Sequence, residues 1–328
     1  MKYRTLGKTG FEVSEVSLGT WQVGGRWGDP FSDRNAEEIL NRAIDLGVNF
    51  VDTADAYSNG LSEAAVARVV RSRKERVFIA TKCGRKISPH VAEGYTPEVL
   101  EKYVHDSLRN TGLETLDLIQ LHCPPTDVYY RPEIFALFDR LKQQGKIRNL
   151  GVSVEKVEEA IKAIEYPNVT TVQIIFNMFR HRPSELFFSL AKGRNVGVIV
   201  RVPLASGLLT GKFDSTTTFG SRDHRNYNRD GQSFDKGETF SGVDFQVGLA
   251  AVEELKQLFP DSENLPAYAL RWVLMFDVVS CVIPGASRVR HVESNVRASD
   301  LPALTDEQVA GVRAIYEKYI KEQVHQRW

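Results

Sequence analysis

The sequence predicts a (β/α)8 barrel, and three observations carry that reading. Eight short apolar runs alternate with helix-period segments over most of the 328 residues. Most runs are nearly continuous in Val, Ile and Leu, as expected of parallel strands covered on both faces. The alternative, a doubly wound open sheet, usually shows a Gly-rich phosphate loop after its first strand, and SLGTWQVGG (17–25) does not fit G-x-G-x-x-G.

KYRTLG and FEV flank a turn at Lys8, Thr9 and Gly10, which predicts a small N-terminal hairpin. Barrel strands follow at 13–21, 48–54, 77–83 and 116–122, then at 147–153, 169–177, 196–204 and 279–285. Helical periodicity fills the gaps. Residues 36–47 place Ile39, Leu40, Ala43 and Ile44 on one face and end at Gly47. Thr96 and Pro97 open the next long helix as N-cap and first helical residue. Further helical patterns cover 132–145, 155–166 and 183–193, then 245–258, 265–276 and 305–322. The polar, Gly-rich stretch 213–243 is far longer than an ordinary connection. Its place after the seventh strand predicts a loop over the active face. The chain reads as one barrel domain, 1–328.

Composition bounds the function. Lys plus Arg (42) equals Asp plus Glu (42), so no overall field favours nucleic acid or an acidic membrane surface. Cys83, Cys123 and Cys281 lack metal-ligand spacing, and their odd number argues against a disulfide framework. Buried free thiols in a reducing cytoplasm are expected, and no bound metal. No apolar leader precedes the hairpin, and no run of about 18 apolar residues predicts a membrane span. Nothing in the sequence fixes an oligomeric state.

Four residues stand at or just beyond the ends of three successive strands: Asp52, Tyr57, Lys82 and His122. In such a barrel the C-terminal strand ends carry catalysis. A free phenol titrates near ~10, too high for an effective acid at neutral pH. A neighbouring Lys82 ammonium would lower that value, and Asp52 would hold Lys82 charged and oriented. His122 would place a substrate oxygen. This set suits protonation of a carbonyl oxygen. The hydride that must reach the carbon comes from no side chain, so a nicotinamide cofactor is implied. A Schiff-base aldolase using Lys82 needs a neutral amine, and Asp52 opposes that.

At these residues the chain resembles the aldo-keto reductase family, and the match runs from about residue 3 to 297. NFVDTADAY-x-x-G-x-SE (49–63), IATK (79–82) and DLIQLH (117–122) are similar to its signature segments. GVS (151–153), Gln173 with Asn177, PLASGLLTGK (203–212) and VIPGAS…N (282–295) follow in the same order. The details resemble the bacterial general-stress and inositol-cluster branch, and similarity extends to the β subunits of voltage-gated potassium channels. The resemblance implies an NADPH-dependent reductase of small aldehydes or ketones. A cofactor-binding regulatory subunit is the alternative. His122 discriminates, because the channel subunits tend to carry Asn there.

The resemblance also implies roles. Tyr57 would be the proton donor, Lys82 its modulator, Asp52 the partner of Lys82, and His122 the group that orients the carbonyl. Gly19, Thr20 and Trp21 would lie along the nicotinamide ribose, and Asp52 beside the cofactor. Ser153 and Gln173 would bind the carboxamide. Val202, Pro203, Leu204, Ala205, Ser206 and Gly207 would form the pyrophosphate strap, with Leu209, Gly211 and Lys212. Gly285, Ser287, Arg288, His291 and Asn295 would hold the adenosine end. Arg201 stands where many members place an aromatic ring against the nicotinamide, and a guanidinium plane can stack there too. Val154 replaces a common Asn, and His291 and Ser294 replace common Gln and Glu. Arg288 beside Ser287 would meet a 2′-phosphate, which predicts NADPH over NADH. Arg225 would clamp the diphosphate. Specificity would lie in loops 22–33, 83–95 and 124–131 and in the tail 321–328, with Trp21, Trp27, Tyr129 and Tyr130 lining an aromatic pocket. Trp328 would reach that pocket or a neighbouring subunit.

Overall fold

The computed structural model describes residues 1–328, apart from the side chain of Ser262. The predicted hairpin is β1 (Tyr3–Thr5) and β2 (Glu12–Ser14), joined by a tight turn that ends at Gly10 with φ 79°. The barrel strands are β3 (Leu18–Gly19), β4 (Phe50–Asp52), β5 (Phe78–Cys83) and β6 (Leu116–His122), then β7 (Ile147–Ser153), β8 (Val169–Ile175), β9 (Gly197–Arg201) and β10 (Val279–Val282). Each pairs in parallel with the next. The circle closes through the bridges Val16–Val282 and Gly19–Gly285. The first predicted strand, 13–21, divides into hairpin and barrel pieces. Val13 and Ser14 pair with the hairpin, and the chain joins the barrel only from Val16 onward.

The helices are α1 (Asp33–Asp45), α2 (Leu61–Ser72), α3 (Pro97–Thr111) and α4 (Pro132–Gln143), then α5 (Val157–Ala163), α6 (Phe187–Gly193), α7 (His224–Tyr227) and α8 (Phe245–Gln257), and finally α9 (Leu265–Leu274), α10 (Val289–Val296), α11 (Asp306–Ile315) and α12 (Lys321–Val324). α1 buries the predicted face, Ile39, Leu40, Ala43 and Ile44, and Ser32 caps it. Thr96 caps α3 by accepting from Val99 N–H at 3.3 Å. Sequence periodicity names no helix between the second and third strands, yet α2 is there. Its cap is Gly60, with φ 89° and no side chain, so the usual capping signal is missing. No helix among the described residues is long and apolar enough to cross a membrane.

Side chains alternate along each strand, and this sets the interior in layers. Phe50, Ala80, Leu118, Ile199 and Cys281 form one apolar cluster with Leu6, Phe11 and Val13 of the hairpin. The hairpin therefore plugs the N-terminal end of the barrel. Two residues further along four of those strands, the same face carries Asp52, Lys82, Gln120 and Arg201. His122 follows after two more residues of β6. A dry plug thus lies beneath a polar layer, and the polar layer opens at the C-terminal mouth.

The stretch 213–243 folds over that mouth. His224 of α7 packs against Trp21 and Trp27, with ring centroids 4.8 and 4.0 Å apart. Trp328 packs against this strap and is not part of the cavity wall. Its indole N–H donates to Asp235 at 2.7 Å, and Arg180 sits 4.3 Å over its ring. The tail therefore braces the strap rather than entering the pocket.

Candidate active site

Lys82 is buried, and its ammonium donates to the Asp52 carboxylate, to Thr53 O at 2.9 Å and to Tyr57 Oη at 3.3 Å. The other Asp52 oxygen accepts from the Gln120 and Gln173 amides at 2.9 and 2.8 Å. The buried ion pair thus has its remaining hydrogen-bonding capacity met, which such a pair needs to be tolerated. Tyr57 comes from the turn after β4, where Ser58 and Asn59 take left-handed φ values of 48° and 53°. Its ring lies edge-on to His122, with centroids 5.9 Å apart. The structure thus brings together all four residues singled out at the strand ends.

Burial lowers the Lys82 ammonium, but Asp52 and Tyr57 outweigh it and hold the group above its ordinary value. Burial raises the Tyr57 phenol, and Lys82 pulls it back without cancelling the rise. This departs from the sequence expectation of a lowered phenol. Lys82 acts in the expected direction, but desolvation is the larger effect. Burial, with Lys82 and Arg85 nearby, holds His122 well below the ordinary imidazole value, so its ring is neutral at physiological pH. A neutral imidazole can donate one hydrogen bond without carrying charge.

A cavity of about 640 Å³ runs from this centre across the mouth. Tyr57, His122, Ser153 and Gln173 line one end, with Gly19, Thr20, Trp21 and Asp52 beside them. Val202, Pro203, Leu204, Ser206 and Gly207 also line the cavity, and Arg201 and Glu238 lie near His122. Lys212, Gly285, Ser287, His291 and Asn295 line the other end. Ala205 and Leu209 are instead packed in the core, and Gly211 lies against Lys256 and Leu265. Arg288 is exposed at the start of α10 and is not part of the cavity wall. Tyr129 is buried elsewhere and Tyr130 is exposed, so of the four expected aromatics only Trp21 and Trp27 line the cavity. Val202 has φ 50°, a strained value for a β-branched residue, and Asn177 donates to its carbonyl at 2.9 Å.

Several lining residues carry no signal at short sequence range. Arg26 and Arg290 join Lys212 at the Ser287 end, and burial together with Arg290, Lys212, Arg288 and Arg26 depresses His291. Among the described residues no carboxylate forms an ion pair with any of these four cations. Arg225 lines the cavity, but its guanidinium is paired with Asp223 at 2.6 Å and stacked on Trp27 at 4.7 Å. At the His122 end, Glu238 of the strap pairs with Arg85 at 2.5 Å and with Arg201 at 3.4 Å. Arg201 also meets Glu155 at 2.8 Å. Cys123 Sγ approaches these two carboxylates, but the arginines already supply the counter-charge there.

Asp55, two residues before Tyr57, is buried with both carboxylate oxygens unpaired. Burial and Glu63 push its carboxyl up to about 7. Since the unfolded group titrates near ~3.9, the native state holds the extra proton, and stability falls as pH rises from about 4 through about 7. Asp55→Asn is expected to be more stable than the parent above about pH 7, with the gap closing towards about pH 4. Denaturation midpoints across that range check it.

The family model described as Aldo/keto reductase family matches residues 15–317. The chain belongs to the aldo/keto reductase family. An uncharacterized oxidoreductase of Bacillus subtilis, YqkF, is 28% identical over 320 residues, 96% of each chain. The holo form of aldo-keto reductase AKR11C1 from Bacillus halodurans superimposes with a TM-score of 0.78 at 27% identity, over 99% of each chain. The glycerol dehydrogenase AKR11B4 from Gluconobacter oxydans gives 0.77 at 30% identity, over 97% of this chain and 96% of that one. The (β/α)8 fold and the oxidoreductase class of this aldo/keto reductase follow from these likenesses.

Proposed function

We propose that this aldo/keto reductase, as a single catalytic barrel, reduces small aldehydes and ketones to alcohols with NADPH. The observation that carries the reading is the contact of Tyr57 Oη with a Lys82 ammonium that Asp52 anchors at the barrel mouth. A dinucleotide bound along the cavity would supply hydride to the carbonyl carbon. The residues present fit such a group. One end of the cavity is lined by polar side chains suited to a carboxamide, Ser153 and Gln173, and the other carries cations without carboxylate partners.

The side chains have separate tasks. Tyr57 delivers the proton to the substrate oxygen, and Lys82 offsets the cost of the resulting phenolate. Neutral His122 donates a hydrogen bond that orients the carbonyl. Asp52, held by Gln120 and Gln173, fixes the Lys82 ammonium. Val202 to Gly207 would lie along the cofactor, and His224, packed against Trp21 and Trp27, would help exclude water. The same groups run in reverse for alcohol oxidation, in keeping with a relative named as a glycerol dehydrogenase.

The unpaired cations at the Ser287 end favour the extra phosphate of NADPH. Arg290 lines that end, so it joins Arg288 as a candidate for the contact. Arg290→Ala is expected to lower kcat/KM for NADPH about tenfold, as for one lost charge-assisted hydrogen bond, while NADH use changes little. Following cofactor absorbance with 4-nitrobenzaldehyde tests both parts. Aldehyde-dependent NADPH loss supports the reductase, whereas faster turnover with NADH overturns the cofactor assignment. Tight binding of NADPH with no turnover of any carbonyl would favour a regulatory subunit.

A further inference from the structure

An arginine lies buried beneath the strap 213–243 without a carboxylate bound to it. Arg180, in the turn after β8, is 1% exposed, and Glu155 and Asp235 act on it only from longer range. Burial pulls its guanidinium down to about 10, so the group is still a cation at neutral pH. Its Nη2 donates to the strap carbonyls of Ser241 at 3.0 Å and Gly237 at 3.4 Å, and its Nε–H has no partner. The remaining compensation is the Trp328 ring, whose centroid lies 4.3 Å from the guanidinium carbon. A desolvated cation gains most from such a ring face, and indole offers the best one. A cation buried without counter-charge favours any motion that lets water reach it. The far limb of the strap, 235–242, is thus under a standing drive to lift, and Trp328 opposes it.

The junction between this limb and the cofactor end is strained as well. The Ser206 hydroxyl donates to Glu238 O and accepts from Phe240 N–H, both at 3.1 Å. The Asn177 amide donates to Val202 O at 2.9 Å and to Ser241 Oγ at 2.8 Å. Val202, Ser206, Phe240 and Ser241 have φ values of 50°, 54°, 52° and 60°. Residues other than glycine keep such values only where the surrounding contacts over-determine them. Val202 and Ser206 line the cavity, so the limb that Trp328 clamps is knitted to the cavity wall. Two glycines admit the clamp. A Cβ on Gly237 would lie 2.8 Å from Trp328 Nε1, and one on Gly242 would lie 2.6 Å from its ring. The indole therefore rests directly on strap backbone, and Arg182 donates to the Trp328 carbonyl at 3.1 Å.

We infer that Trp328 is a positioning residue for the cofactor. By clamping residues 235–242 over Arg180 it holds the Val202–Gly207 segment on a bound dinucleotide and sets how fast that dinucleotide leaves. This rests on the NADPH-binding reading above. Trp328 lines no part of the cavity, so its effect falls on cofactor release and leaves hydride transfer alone.

The test separates those two steps. Enzyme preloaded with NADPH is chased with excess NADP⁺, and the loss of bound-NADPH fluorescence gives the release rate. The same preloaded enzyme mixed with 4-nitrobenzaldehyde gives the rate of hydride transfer in a single turnover. Trp328→Ala is expected to speed release roughly 10- to 30-fold, the worth of a desolvated cation–π contact, with hydride transfer unchanged. Trp328→Phe keeps a ring face without the indole N–H and should fall between parent and Trp328→Ala. Gly237→Ala keeps Trp328 but pushes the indole off the strap, and it should reproduce the faster release.

A parent release rate in folded Trp328→Ala overturns the inference. A faster release matched by an equal fall in hydride transfer also overturns it, since Trp328 would then act only through general loosening of the barrel. If Trp328→Ala does not fold, Trp328→Phe and Gly237→Ala decide, and parent-like release in both overturns the inference. Parent protein that binds no NADPH would strike the underlying reading and this inference with it. Tight NADPH binding without hydride transfer would strike the reductase reading alone, because the release rates still decide the role of Trp328.

Discussion

Tyr57→Phe is expected to lower carbonyl reduction by about 10²–10⁴-fold, the usual worth of a positioned proton donor, with cofactor affinity nearly unchanged. The reason lies in the geometry. Tyr57 Oη is the hydroxyl in contact with the Lys82 ammonium, at 3.3 Å. His122 cannot replace it, because burial and the surrounding cations keep its ring neutral and a weak source of protons. The phenyl ring keeps the packing of Tyr57 on Trp21, where the centroids are 6.1 Å apart, so the fold should be undisturbed. Steady-state rates with 4-nitrobenzaldehyde and a fluorescence titration of NADPH separate the two quantities. A variant that keeps more than a tenth of the parent kcat would move the donor role elsewhere.

Lys82→Met should have the largest effect on stability and also abolish turnover. The substitution removes the cation from a fully buried pair and leaves the Asp52 carboxylate with only the Gln120 and Gln173 amides. Stranding one member of a buried pair costs about 3–5 kcal/mol, because the remaining charge is uncompensated. The parent interaction is robust at neutral pH. Lys82 is held above its ordinary value in the folded state, so its contribution is complete below about pH 10 and is lost only as pH rises through the folded value. Denaturant unfolding of Lys82→Met against the parent measures the loss. The double variant Asp52→Asn/Lys82→Met should recover part of the stability and none of the activity.

The fold and the centre of the site were legible for one shared reason. A strand buried on both faces must be apolar until it leaves the barrel. The points where VNFVD, VFIATK and LDLIQLH turn polar therefore mark the mouth, and Asp52, Lys82 and His122 share an inward face there. Tyr57 was readable only through its spacing from Asp52 in the family pattern, since its position depends on the left-handed turn at Ser58 and Asn59. The charged wall was not legible. Arg85, Glu155, Arg201 and Glu238 lie on four different segments, and nothing local in any of them announces the others. The same holds for Arg26 and Arg290, which join Lys212 only after the barrel closes. The net shift at Tyr57 departs from the sequence expectation because charge neighbours can be read from sequence, whereas the depth of burial cannot. Trp328 finds Asp235 and Arg180 across long sequence distances, so its role as a brace also needed the structure.

The most direct test of the account follows the transferred hydrogen. NADPH carrying two deuterium atoms at C4 of the nicotinamide would be incubated with the enzyme and 4-nitrobenzaldehyde, and the product examined by proton NMR. The account predicts 4-nitrobenzyl alcohol with one deuterium on its carbinol carbon, formed by the parent and lost in Tyr57→Phe. Alcohol without deuterium, or no alcohol from protein saturated with NADPH, would contradict it.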